Sequence, residues 1–207
     1  MATILGLDEA GRGCVLGALV VGGFYFQSED DSPISETGAT DSKKLSAKKR
    51  KTILPRLKKI GAGKIIEISA KQIDSGNLNR LEENAFVEII RHFQPDIVYI
   101  DAPTHPSGIP ALTRRLQEAL TELPRLPRFI IEPKADLNYP VVGAASIFAK
   151  VHRDQQIEAL GDVGSGYPSD PKTRKWLKGF IDRNEDFPPC VRTRWGTIET
   201  LKQQSLF

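Results

Sequence analysis

Asp8 and Glu9 follow the apolar run Ile4-Leu5-Gly6-Leu7, Asp101 follows Ile97-Val98-Tyr99-Ile100, and Asp136 lies a few residues past Phe129-Ile130-Ile131, just before a helical stretch. Each reads as an acid at the end of an apolar strand or just past it. In an α/β sheet neighbouring strand ends converge on one edge, where sites are usually built, so these acids can meet around one point. Four carboxylates cannot crowd together ionised at neutral pH without compensation, because like charges raise one another's pKa. Hard divalent cations resolve that conflict. Mg2+ or Mn2+ prefers oxygen ligands and keeps waters, and two such ions about 4 Å apart activate a water and stabilise the leaving oxygen of a phosphodiester. Singly, such an acid is more often a strand-end cap or half of a surface ion pair; the four together favour a metal site.

The elements that must place these acids are legible as alternating patterns. Residues 3–7 and 16–26 read as strands, with Gly11 to Gly13 as the turn between them. Residues 27–40, rich in Ser, Asp, Gly and Pro, are expected to form a surface loop and are the best candidate for disorder. Ser46 can N-cap a basic helix running to about Lys59, which Pro55 should bend or interrupt. A strand over 64–69 is followed by a helical pattern with Leu78, Leu81, Ala85, Phe86, Ile89 and Ile90 on one face. Then come a strand at 97–100, a helix at 110–120, a strand at 129–131 and a long helix at 141–160. The order predicts an α/β protein with a mixed five-stranded sheet flanked by helices. Residues 1–160 are expected to form the main domain, with 161–207 as a helical appendage and tail packed on it.

Bulk composition bounds the function classes. With 207 residues, 40% hydrophobic and 27% charged, the chain reads as soluble, globular and large enough for a core. The net charge of +3 alone does not point to nucleic acid. Its distribution does: residues 41–59 hold nine basic side chains against Asp41, and residues 172–194 hold seven against Asp182, Glu185 and Asp186. Such clusters raise the local concentration of a polyanion, although each alone can be a solvated helix face. Cys14 and Cys190 have no metal-type spacing and suggest no disulfide framework, which fits a reducing cytoplasm. No leader pattern and no run of about 18 apolar residues is present, so neither export nor membrane insertion is expected.

Five ordered motifs carry a family resemblance: GLDEAGRG at 6–13, DSKKL at 41–45, YIDAP at 99–103, KAD with AASIFAKV at 134–151, and SGYPSDPKT at 165–173. Together they closely resemble the ribonuclease HII family, type 2 ribonucleases H, and the last looks more like the archaeal and eukaryotic branch than the usual bacterial form. The resemblance implies the ribonuclease H-like fold and endonucleolytic cleavage of RNA in RNA/DNA hybrids and 5′ to single ribonucleotides embedded in duplex DNA, as in ribonucleotide excision repair and DNA replication. It implies two-metal-ion hydrolysis with Mg2+ or Mn2+, leaving 3′-hydroxyl and 5′-phosphate ends. Asp8, Glu9, Asp101 and Asp136 match the family's metal-binding carboxylates. Gly11, Arg12 and Gly13 match the loop that reads the ribose 2′-hydroxyl, and Tyr167 matches the tyrosine beside the DNA sugar at the junction. Lys43 and Lys44 are placed to neutralise phosphates, with Ser146 and Lys150 as further candidates. The start so close to Asp8, together with Tyr167, is unlike the related ribonuclease HIII type.

Two positions depart from the family, which commonly has proline where this chain has Cys14 and often where it has Ala18. Losing proline after the glycine loop is expected to loosen it. At the other end, Gln203, Leu206 and Phe207 resemble the start of a sliding-clamp binding peptide that lacks its aromatic pair; a frayed polar terminus is the alternative. A monomer without membrane partners is expected. Two rival functions remain at this level, a noncatalytic nucleic-acid-binding module of the same fold and a metal-dependent phosphohydrolase of small phosphoesters.

Overall fold

Five strands assemble into one sheet in the computed structural model, which describes residues 2–28, 30–39 and 45–204. They are β1 (Ile4–Ala10), β2 (Leu19–Phe26), β3 (Ala62–Ile68), β4 (Ile97–Asp101) and β5 (Arg128–Glu132), in the order β3-β2-β1-β4-β5. β1, β2 and β3 pair antiparallel, whereas β4 and β5 run parallel to β1. This is the mixed five-stranded sheet that the order of elements predicts.

Both faces are covered, which is why β1 reads as an apolar run rather than an alternation. On one face Leu5 and Leu7 pack with Phe86, Ile89 and Ile90 of α4 (Leu78–Phe93) and with Leu112 and Leu116 of α5 (Ile109–Ala119). On the other, Ile4 and Phe24 pack with α1 (Ser32–Glu36), α2 (Ala47–Ile60) and α7 (Pro140–Ala159). α7 lies so close that a Cβ on Gly6 would stand 2.1 Å from the Val141 carbonyl oxygen. Only glycine permits that approach.

Several expectations are corrected. β1 does not stop at Leu7: pairing continues to Ala10 opposite Val20, so Asp8 and Glu9 lie within the strand. The expected loop at 27–40 contains α1, because Pro33 suits a first helical turn and Ile34, fully buried, adds to the core beside Ile53 and Leu57. α2 runs uninterrupted through Pro55. Ile53 and Leu57 anchor it on either side, and the carbonyl whose donor the proline removes, on Lys51, belongs to an exposed residue that water can reach.

Beyond residue 161 lie α8 (Pro171–Asp182) and α9 (Gly196–Gln204). Leu177, Val191, Ile198 and Leu201 from this region share a cluster with Val15, Leu16 and Ile157. Leu16, expected to begin β2, instead bridges to Val191. Two short elements complete the path to the site, α3 (Ala70–Ser75) before α4 and α6 (Ala135–Asn138) before α7. Among the described residues no helix is long and apolar enough to cross a membrane.

Candidate active site

The parallel pairing of β1 with β4 ends at Leu7 opposite Ile100, and the next residue on each strand is an aspartate. Asp8 and Asp101 thus sit side by side. Asp101 also builds the third position: its Oδ1 accepts from the Lys134 N–H at 2.6 Å and the Ala135 N–H at 3.3 Å, the first amides of α6. Lys134 enters that turn in the left-handed region at φ 60°, and one turn of helix then carries Asp136. Asp8, Asp101 and Asp136 each bring a carboxylate oxygen within 4.8 Å of the others. Asp8 and Asp136 are buried while Asp101 is half-buried.

Glu9 stands outside that trio. Successive side chains on a strand point to opposite faces, so Asp8 takes the α7 side and Glu9 the other. It nevertheless borders the same cleft, of about 430 Å³, together with Asp8, Asp101, Gly11, Arg12, Gly13, Lys150 and Tyr167.

Burial is the main electrostatic feature. Removal from water raises Asp8 to about 6; Asp101 adds to the rise, while a hydrogen bond from Ser146 and the charge of Lys150 oppose it. Glu9 is pushed up to about 8, first by burial and then by Asp8 and Asp101, with Arg12 opposing. Acidic oxygens gathered from Asp8, Asp101 and Asp136 form the donor set of a hard divalent cation.

Beside the acids, the chain turns at Gly11, where φ is +84°. A Cβ there would also stand 2.9 Å from the Ala18 carbonyl oxygen. The Arg12 side chain leaves the cleft and pairs with buried Glu82 of α4, so what this loop offers to the cleft is backbone. Cys14 does not loosen the turn. Its N–H, which a proline would lack, donates to the Gly11 carbonyl at 3.2 Å, and its buried sulfur accepts from Arg153 Nη2 at 3.1 Å. The Arg153 guanidinium lies 5.0 Å from the Tyr167 ring centre.

The expected phosphate contacts separate. Lys150 borders the cleft, but Ser146 is fully buried and donates to Asp8, where no phosphate reaches it. Lys43 and Lys44 lie outside the described residues. Sequence reasoning missed Arg50, Arg153 and Asp154, which border the cleft. Helical spacing held the signal for two of them, since positions 146, 150, 153 and 154 fall on one side of α7.

A mixed sheet in this strand order, with carboxylates gathered from adjacent parallel strands, defines the ribonuclease H-like class. The profile described as Ribonuclease HII matches residues 5–198. Ribonuclease HII of Archaeoglobus fulgidus is 40% identical over 209 residues, covering 97% of both chains. The enzyme of Pyrococcus furiosus is 39% identical, over 96% of this chain and 90% of its own. Among solved structures, ribonuclease H2 from Pyrococcus horikoshii superposes with a TM-score of 0.86 at 35% identity, covering 98% of each chain. A ribonuclease HII from Archaeoglobus fulgidus, solved in complex with PCNA, superposes at 0.85 with 39% identity over 97% of each. A ribonuclease HIII with Mn2+ shares the fold at TM-score 0.77 and 18% identity. The chain belongs to the ribonuclease HII family and is a type 2 ribonuclease H, a metal-dependent phosphodiester hydrolase.

Proposed function

We propose that this chain cleaves the RNA strand of RNA/DNA hybrids and cuts 5′ to single ribonucleotides embedded in duplex DNA, leaving 3′-hydroxyl and 5′-phosphate ends. The observation that carries the reading is the meeting of Asp8, Asp101 and Asp136 in one cleft with the Gly11–Gly13 backbone and Tyr167. Asp8, Asp101 and Asp136 would hold Mg2+ or Mn2+, with Glu9 completing the set from the opposite face of β1. Such ions, as a pair, supply an activated water and stabilise the leaving oxygen of a phosphodiester.

The remaining work falls to the chain's own groups. A ribose 2′-hydroxyl is donor and acceptor at once, and it alone distinguishes RNA from DNA at a site. The backbone of Gly11, Arg12 and Gly13 can test for it at close range, because no Cβ intervenes at the glycines and the Arg12 side chain is turned away toward α4. Tyr167, exposed by 41%, offers a ring face against which the next, deoxy sugar fits. Lys150 and the basic side of α2 meet phosphates without reading sequence. Ser146 holds the Asp8 carboxylate in place.

The direct test is cleavage of a duplex bearing one ribonucleotide, scanned over Mg2+ and Mn2+. Asp101→Asn should retain duplex binding but lower cleavage by more than about a hundredfold, since it removes a ligand of the ion that does the chemistry. Full activity in that variant would remove the assignment. Tyr167→Ala should impair cutting at the single ribonucleotide more than on a long hybrid; equal losses would count against the junction role.

A sliding clamp is the proposed protein partner. The support is the Archaeoglobus relative solved with PCNA, together with the tail resemblance at Gln203, on the last turn of α9. Leu206 and Phe207 lie outside the described residues. A monomer acting in the cytoplasm is the accompanying reading.

A further inference from the structure

Arg192 lies in the segment between α8 and α9, outside the motifs that carry the family resemblance. It is fully buried, yet among the described residues no carboxylate pairs with its guanidinium. Its fork is spent on three backbone carbonyls instead: Nη2 donates to Gly11 at 2.7 Å, Nη1 to Arg12 at 2.9 Å and Nε to Gly17 at 3.0 Å. Its guanidinium carbon lies 5.0 Å from the Trp195 ring centre. Burial pulls the guanidinium down to about 10, which leaves it charged near neutral pH.

The choice of acceptors has a directional consequence. A peptide unit is planar and trans, so its N–H points opposite to its C=O. Holding the Gly11 carbonyl sets the direction of the Arg12 N–H, and holding the Arg12 carbonyl sets that of the Gly13 N–H. Arg192 holds both carbonyls from the interior, and residues 11–13 border the cleft on the other side. We propose that Arg192 is a positioning residue that aims the Arg12 and Gly13 amides at the sugar in the cleft, and so sets how sharply ribose is told from deoxyribose. A lysine keeps the charge but has no planar fork to hold adjacent carbonyls.

The support for Arg192 is itself anchored. Its N–H donates to the Val15 carbonyl at 2.9 Å, and Val191 bridges to Leu16. Asp74 of α3 accepts from the Thr193 N–H at 2.7 Å and from the Thr193 hydroxyl at 2.8 Å. The loop is thereby tied to a part of the chain some 180 residues away, as the Arg12–Arg192 separation shows.

This inference rests on the reading of residues 11–13 as the sugar-testing loop, and the experiment separates the two. Binding of two duplexes, identical except for one ribonucleotide, is measured in EDTA so that neither is cut. Arg192→Lys that folds with the wild-type melting temperature should lose about tenfold of the ribose preference, the scale of a disturbed hydrogen bond or two, with affinity for the all-DNA duplex unchanged. An unchanged preference overturns the proposal, and so does an equal loss on both duplexes, which would mark a merely structural role. If Arg192→Lys does not fold, hydrogen exchange in the wild-type protein decides. The Arg192 Nε–H should be protected together with the loop it holds, and a rapidly exchanging Nε–H would overturn the proposal. A wild-type protein that binds both duplexes equally would instead remove the sugar-testing reading, while the same exchange measurement still reports whether Arg192 holds the loop.

Discussion

Adjacent acids on one strand look mutually repulsive, but the pleat places Asp8 and Glu9 on opposite faces of β1. What burdens them most is burial; Asp101 adds to the rise at Asp8, and Asp8 and then Asp101 add to it at Glu9. The direction of the shifts sets a pH dependence. Asp8 has an ordinary value of 3.8 and sits near 6 in the fold, and Glu9 moves from 4.5 to about 8. Between the ordinary and the folded values the native state binds more protons than the unfolded chain, so stability falls as pH rises through that window. Thermal unfolding in EDTA should therefore give a melting temperature that declines from about pH 5 to pH 8 through these two groups. Added Mg2+ or Mn2+ should raise it more at pH 8 than at pH 6, because a cation and the protons compete for the same oxygens. A stabilisation by the ion that is independent of pH would contradict the assigned ligands. Cys14 shows the limit of reading a residue by its type: proline's absence suggested a looser loop, whereas the cysteine N–H and sulfur both tie it down.

At the scale of elements, the distance between β1 and α7 controls the site. The approach at Gly6 sets the start of α7 against the strand that carries Asp8, and α6 with Asp136 is the immediately preceding turn. Gly6→Ala puts a methyl into backbone, which cannot yield as a side chain tip would. The expected cost is about 1–3 kcal/mol in urea unfolding, with weakened metal affinity because Asp136 must move away from Asp8. Unchanged stability would show that α7 can shift freely. The strands and long helices were legible because their apolar periods were strong; α1 was not, since a single buried residue, Ile34, makes it worthwhile. Pro55 was read as a break because the local cost is visible in sequence and the compensating contacts of Ile53 and Leu57 are not.

Across the whole molecule, the region after residue 161 matters more than an appendage would. It supplies Leu177, Val191, Ile198 and Leu201 to a cluster completed by Val15, Leu16 and Ile157, and it supplies Arg192 to the loop beside the acids. Both tryptophans, Trp176 and Trp195, lie in this region. Their fluorescence and the far-ultraviolet circular dichroism of the whole chain should therefore lose signal in one coincident urea transition. An earlier fluorescence transition would mark the region as separately folding.

The sequence by itself determined the mixed sheet, the acids that follow its apolar runs and the family, because apolar periodicity and short ordered motifs are local properties of a chain. Only the tertiary structure decided that Asp101 organises the turn carrying Asp136, that Glu9 faces away from the aspartate trio, and that Ser146 lies beneath Asp8. It also decided that Arg192 grips Gly11 and Arg12. Each of these depends on which distant backbone groups a side chain meets after folding, and a buried arginine satisfied by carbonyls has the same sequence appearance as one in a solvated basic run.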